Sequence, residues 1–116
     1  MSDRIRKITR LIDEMSRILL SNNASKLDIK LQYNDSAVEI MFYHYQNTMS
    51  DKRLQEINEA LNKPHRFELE NYYWTLVGET GVDQSLQLLG GLIDKATVER
   101  IGSNVSIRLV RETKNE

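Results

Sequence analysis

The sequence predicts an α+β fold, a two-layer sandwich in which an antiparallel or mixed sheet of about four to five strands carries about three helices on one face. Two observations lead to this prediction. Apolar residues recur every three or four positions in some stretches and every second position in others, which are the periods of helices and strands. These stretches follow the order helix, strand, strand, helix, an ambiguous segment, helix, strand and strand.

The length of the chain favours a single domain. Its 116 residues are close to the commonest domain size, and neither a repeat nor a linker divides them. We therefore expect one α+β domain over residues 1–111, followed by a polar C-terminal tail over residues 112–116.

The first element is predicted to be an amphipathic helix over residues 3–21. Ser2 or Asp3 can cap its start, and the polar run 21–23 ends it. Its apolar stripe would pack on the core of a monomer or form the seam of a helix–helix dimer. The stripe consists of Ile5, Ile8, Ile12, Met15 and Leu19, widened by Leu11 and Ile18.

Two β-hairpins are predicted, one after this helix and one at the end of the chain. The first has the turn Asn34-Asp35-Ser36, and the second has the turn Gly102-Ser103-Asn104. Alternation places one apolar set on the buried face of the strands: Leu27, Ile29, Leu31, Tyr33, Val38, Ile40, Phe42, Val105, Ile107 and Leu109.

Two further helices and one ambiguous segment lie between the hairpins. Ser50 is predicted to cap one helix, and Asp83 is predicted to cap another that continues to Ile93. The segment from Phe67 to Val77 suits a strand only in part, because three adjacent aromatic residues break its alternation. The apolar face of the helix after Ser50 consists of Leu54, Ile57, Ala60 and Leu61.

Composition narrows the classes of function. The net charge is −1, from 16 basic and 17 acidic residues, which disfavours nucleic acid as a partner. A local basic group, Arg4, Arg6, Lys7 and Arg10, is predicted to be the solvated face of the first helix. The absence of cysteine excludes disulfides and thiolate chemistry. The charged N-terminus and the lack of a long apolar run predict a cytoplasmic protein that does not span a membrane.

One family resemblance is carried by the stretch Leu86-Gln87-Leu88-Leu89-Gly90-Gly91-Leu92-Ile93-Asp94 together with Ile107-Arg108-Leu109. These residues resemble the last helix and last two strands of the histidine-kinase-like ATPase domains, including the anti-sigma-factor kinases. Residues 14–31 are similar to the first helix of that family and the strand after it. The resemblance implies a nucleotide-binding scaffold. Its first helix carries a Glu and, four residues later, an Asn for magnesium. An Asp-x-Gly-x-Gly box then binds adenine, and a mobile lid and a Gly-x-Gly helix start for the phosphates follow.

The sequence departs from this pattern at each nucleotide box. If Glu14 matches the family's Glu, Ile18 stands where the magnesium-binding Asn would be. The run 43–47 contains no Asp-x-Gly, and Ser85 and Gln87 stand at the phosphate glycines. Gly102-Ser103-Asn104 stands where the family has Gly-Thr. The resemblance therefore implies a degenerate member in which ATP hydrolysis and kinase activity are not expected.

Other candidate site residues are assessed on local spacing. His44 and His65 have no second ligand at metal-binding spacing, so each is predicted to be a partly exposed, hydrogen-bonded side chain rather than a metal ligand. Glu68 and Glu70 share a strand face, which is more typical of a polar surface than of paired catalytic carboxylates. Within the helix after Asp83, Gly90-Gly91 is predicted to allow close packing rather than phosphate binding.

The aromatic run Tyr72-Tyr73-Trp74 is the predicted interaction surface, with core packing as the alternative. The leading hypothesis is a noncatalytic regulatory or protein-interaction domain that binds a protein partner or itself and needs no cofactor. The first alternative is a diverged ATP-binding protein or weak ATPase that uses magnesium, with Glu14 as a base and Asn22 or Asn23 as a substitute ligand. The second is an unrelated α+β domain that binds a small molecule.

Overall fold

Seven helices and strands make up the described part of the chain. The computed structural model describes residues 3–22, 25–63 and 82–112. The predictions for His65, Glu68, Glu70, the segment 67–77 and its run Tyr72-Tyr73-Trp74 lie outside these residues. In chain order the elements are α1 (Asp3–Leu20), β1 (Lys26–Tyr33), β2 (Ala37–Tyr45), α2 (Asp51–Leu61), α3 (Val82–Gly90), β3 (Lys95–Ile101) and β4 (Asn104–Glu112). This order confirms the predicted α+β fold class.

The strands form one antiparallel sheet in the order β1-β2-β4-β3. The two predicted hairpins therefore lie side by side, with β2 and β4 in the centre. Strands β1 and β3 form the two edges of the sheet. The strand β4 extends to Glu112, one residue beyond the predicted domain boundary.

The core lies between one face of the sheet and the helices. Helix α1 packs against α3 and β2, and α2 packs against α3 and β3. The core residues come from every helix, from both central strands and from the segment between α3 and β3: Ile8, Leu11, Met15, Ile18, Leu19, Val38, Ile40, Phe42, Leu54, Ile57, Ala60, Leu61, Leu86, Leu89, Leu92, Ile93, Val105, Ile107 and Leu109. Within the described ranges, no helix is both long enough and apolar enough to cross a membrane.

Local hydrogen bonds explain the turns and the start of α2. The hydroxyl of Ser50 accepts from the amide of Arg53 at 3.1 Å, which confirms the predicted cap. Asn34 Oδ1 accepts from the amides of Ser36 and Ala37, as an Asn-directed turn requires. Gly102 adopts a φ of 62°, a left-handed conformation that glycine tolerates without steric cost.

Three details differ from the sequence prediction. The buried face of α1 centres on Leu11 and Ile18, whereas Ile5 at the end of the predicted stripe is 51% exposed. Helix α3 ends at Gly90, and Ile93 reaches the core from the segment after it. The apolar face of β1, predicted to be buried, is largely exposed because β1 is an edge strand that the helices cover only in part.

Gly90 packs directly against helix α2. A methyl group added at Gly90 would lie 1.9 Å from the carbonyl oxygen of Ala60, a distance at which the two helices would have to separate. The predicted role of this glycine in close packing is confirmed. The contact also explains why a residue of low helix propensity ends α3.

Candidate functional site

Glu14 and Ile18 lie one turn apart on the buried side of α1. Each is only 1% exposed, and Ile18 belongs to the aliphatic core. An aliphatic side chain offers no oxygen to a magnesium ion. Oε2 of Glu14 has no hydrogen-bond partner in the part of the chain that the structure describes. Because burying a carboxylate without partners is costly, Glu14 is the residue of α1 with the clearest unexplained chemistry.

His44 lies on the core side of β2 and is 1% exposed, so the prediction that it is partly exposed is wrong. The strand alternation that buries Phe42 buries His44 as well, and the side chain finds one polar partner inside. Its Nδ1 lies 2.8 Å from Nδ2 of Asn47. Since an amide nitrogen can only donate, the ring accepts at Nδ1 and its neutral form carries the hydrogen on Nε2. Burial lowers the pKa of His44 below its ordinary value, which favours this neutral form.

The connection between β2 and α2 is held against the β3–β4 turn. The amide of Asn47 donates to the carbonyl of Ser103 at 2.8 Å, and the amide of Gln46 donates to Asn104 Oδ1 at 3.2 Å. Arg100 donates to the carbonyl of Met49. We call residues 46–51 with Arg100, Ser103 and Asn104 the loop junction.

Gln46 begins the loop junction in an unusual backbone conformation. Its φ is 53°, in the left-handed region that favours glycine, and it directly follows strand β2. The resemblance places the glycine-containing adenine box at the end of this strand. In this chain His44 and Asn47, on either side of the strand end, bind to one another.

Asn22 connects the end of α1 to the loop junction. Its Oδ1 accepts from both the amide and the hydroxyl of Thr48, at 3.3 and 3.1 Å. An oxygen that already accepts two hydrogen bonds is a poor candidate for the substitute magnesium ligand considered from the sequence. Asn23, the other candidate, lies outside the described residues.

The two residues of α3 that the resemblance aligns with phosphate glycines, Ser85 and Gln87, differ in exposure. Ser85 is buried, whereas Gln87 is exposed and accepts a hydrogen bond from Lys63. Neither is the glycine that brings backbone amides close to a phosphate. Among the described residues, no group of three or more histidine, aspartate or glutamate side chains is placed to hold a metal ion.

A separate apolar groove lies between α1 and β1. Its volume is about 440 Å³, and Ile5 and Ile8 line one wall while Leu31 and Tyr33 line the other. Arg4 also lines the groove, and its guanidinium lies 5.9 Å from the centre of the Tyr33 ring. The sequence predicted these apolar residues to be buried, so alternation alone did not reveal the groove.

Comparisons with protein-family models, with curated proteins and with solved structures found no match.

Proposed function

We propose that this chain is a noncatalytic regulatory or protein-interaction domain built on a histidine-kinase-like ATPase scaffold. The order of the described elements supports the scaffold: a first helix, a hairpin, further helices and a final hairpin. The left-handed Gln46 after the second strand is a second point of support, because the family has a glycine-containing box there.

One observation carries the noncatalytic part of the proposal. Where the resemblance expects nucleotide ligands, the described side chains serve the fold itself. Ile18 fills the core, and His44 and Asn47 bind one another. A protein that had kept its nucleotide would have kept polar groups directed at it in these places.

The proposed role is to bind a protein partner in the cytoplasm through an apolar surface. The groove between α1 and β1 is the described surface that fits this role, since Ile5 and Tyr33 leave apolar area in contact with water. The run Tyr72-Tyr73-Trp74 remains a proposed second surface.

A diverged ATP-binding protein is the second candidate, and Glu14 favours it. A buried carboxylate oxygen without a partner in the described residues is what a general base waiting for its substrate would present. Under this alternative, ATP and magnesium would bind through residues that differ from the family's boxes.

Thermal unfolding with and without ATP, ADP and magnesium separates these candidates. A ligand that binds only the native state stabilises it by about 2.7 kcal/mol when the free ligand concentration is about a hundred times Kd. Nucleotide binding must therefore raise Tm as the nucleotide concentration increases. The proposal predicts no rise at millimolar nucleotide, with a catalytically competent family member as the positive control. A concentration-dependent rise that the variant Glu14→Gln abolishes would overturn it in favour of the second candidate.

A further inference from the structure

Strand β1 presents an open edge to solvent. The amide of Asn34 donates to the carbonyl of Ala37, which makes these residues a hydrogen-bonded pair at the end of the β1–β2 ladder. Because such pairs alternate along an antiparallel ladder, Gln32, Lys30 and Asp28 also direct their backbone groups at β2. The backbone groups that point away from β2, and toward the open edge, are those of Leu27, Ile29, Leu31 and Tyr33.

The side chains on this edge are apolar and uncovered. Ile29 is 42% exposed, Leu31 is 38% exposed and Tyr33 is 66% exposed, all on the face that forms the core further inside the sheet. A long apolar edge strand with unpaired backbone groups is a template for another strand. Natural edges are usually protected by inward-pointing charges or proline, and neither occurs on this face of β1.

The charges on the other face of β1 make it complementary to itself. If two copies pair antiparallel with Ile29 opposite Ile29, then Asp28 of each copy lies opposite Lys30 of the other. The same register places Leu27 opposite Leu31. Moving the register by two residues in one direction places Lys30 opposite Lys30, and in the other direction places Asp28 opposite Asp28. Like charges directly opposite one another are destabilising, so one register is favoured over its neighbours.

We propose that the partner of this surface is a second copy of the chain, bound by antiparallel pairing of the two β1 strands about a two-fold axis at Ile29. The inner faces of both sheets then lie on the same side, and the exposed Ile29 and Leu31 of both copies form one apolar ladder. Ile5 and Tyr33 of the groove flank this ladder. This inference rests on the proposed interaction role, for which it names the partner.

The test is the mass of the full chain by sedimentation equilibrium over a wide range of concentrations, together with four variants. Lys30→Glu places a carboxylate opposite Asp28 twice in the dimer and should raise the dimer Kd about tenfold or more. The double variant Asp28→Lys with Lys30→Glu reverses both charges of each pair and should restore dimerisation. Ile29→Lys places a charge beside the two-fold axis and should give a monomer. The control Lys95→Glu makes the same change of charge on the opposite edge and should leave the Kd unchanged.

Circular dichroism of each variant establishes that the fold persists. This matters for Asp28→Lys, which removes the acceptor of the Tyr45 hydroxyl at 2.9 Å. A wild-type chain that stays monomeric at every concentration would overturn the inference. So would a dimer that neither Lys30→Glu nor Ile29→Lys weakens, because its interface would lie elsewhere.

The failure of this inference differs from the failure of the proposed function. If the chain is a monomer and its Tm does not respond to nucleotide, the proposed dimer is wrong but the proposed noncatalytic role stands. If the chain dimerises through β1 and ATP with magnesium also raises its Tm, the proposed noncatalytic role is wrong but the proposed interface stands.

Discussion

The two edge strands of the sheet share an alternating pattern but meet very different surroundings. Helix α2 packs along β3, and Asn62 at its C-terminal end accepts a hydrogen bond from the amide of Ala96 at 2.9 Å. The Ala96 amide points away from the sheet, at the outer edge of β3. A side chain therefore accepts its hydrogen bond, whereas the outward backbone amides of β1 have no such acceptor among the described residues. Ile101, beside the turn, is the exposed large apolar residue of β3, whereas β1 exposes three.

An edge strand is therefore protected by the elements that pack on it, and its own alternating pattern does not protect it. Arg100 of β3 donates to the carbonyl of Met49 and to Asp51 at the start of α2, so the edge and its helix are bonded directly. Helix α1 packs mainly toward β2 and α3, which leaves β1 with the groove at Ile5 and Tyr33. The protected edge is therefore structural, and the open edge is available for binding.

The largest effect on the free energy of unfolding is expected from a substitution at Gly90, where α3 packs against α2, the helix that covers β3. Gly90→Ala places a methyl group against the Ala60 carbonyl, and the backbone of α2 must move. We expect a loss of about 3 kcal/mol in the free energy of unfolding, at the upper end for overpacking, since backbone rather than a flexible side chain must give way. Denaturant unfolding measures the loss. Gln87→Ala, on the exposed side of the same helix, is the control and should change it by less than about 0.5 kcal/mol.

A smaller loss is expected from Arg100→Ala. The substitution removes the donors to the carbonyl of Met49 and to Asp51. We expect a loss of about 1.5 to 2 kcal/mol, the lower part of the range for hydrogen bonds with a charged partner, because the Arg100 side chain is 28% exposed. Asp51→Ala should cost less than about 0.5 kcal/mol, because the Asp51 side chain is 92% exposed and such ion pairs are weak. Equal losses for the two variants would show that the ion pair, rather than the bond to the backbone, holds the loop junction.

The smallest effect is a pH dependence at His44. Burial lowers the pKa of folded His44 below 6.5, so below that pH the unfolded chain binds a proton that the folded chain does not. The stabilisation by neutral His44 is therefore complete above pH 6.5 and is lost as the pH falls. Between about pH 7.5 and about pH 5.5, the free energy of unfolding should fall more in the wild type than in His44→Gln. If the free energy of unfolding has the same dependence on pH in both proteins, a group other than His44 causes it.

Sequence reasoning predicted the described elements, because their periods, caps and turns are local properties. Ser50, the Asn34 turn and Gly102 each act within four residues, and each is where the pattern indicated. The alternation that buries Phe42 also places His44 on the same face, whereas the exposure of Ile29 on that face could not be predicted in this way. Alternation shows which side chains share a face, but the cover over that face comes from helices far away in the chain.

The candidate site was less predictable than the fold for the same reason. Asn47 and Arg100 were not singled out from the sequence, since their partners are side chains and carbonyls brought together only by the loop junction. Ile18 and Gly90 were predictable, because an apolar stripe and a glycine in a helix are visible in the sequence itself.

Amide hydrogen exchange resolved by residue tests most directly whether β1 is an open edge that pairs with a second copy. The outward amides of β1 belong to Leu27, Ile29, Leu31 and Tyr33. The amides of Asp28 and Lys30, which face β2, and the Ala96 amide, bonded to Asn62, serve as internal controls.

If two β1 strands pair about Ile29, the amides of Leu27, Ile29 and Leu31 are protected at high protein concentration and lose this protection on dilution, while the control amides stay protected throughout. Rapid exchange of the Leu27, Ile29 and Leu31 amides that does not change with protein concentration would contradict this pairing. Strand β1 would then be an exposed edge that does not bind a second copy of the chain.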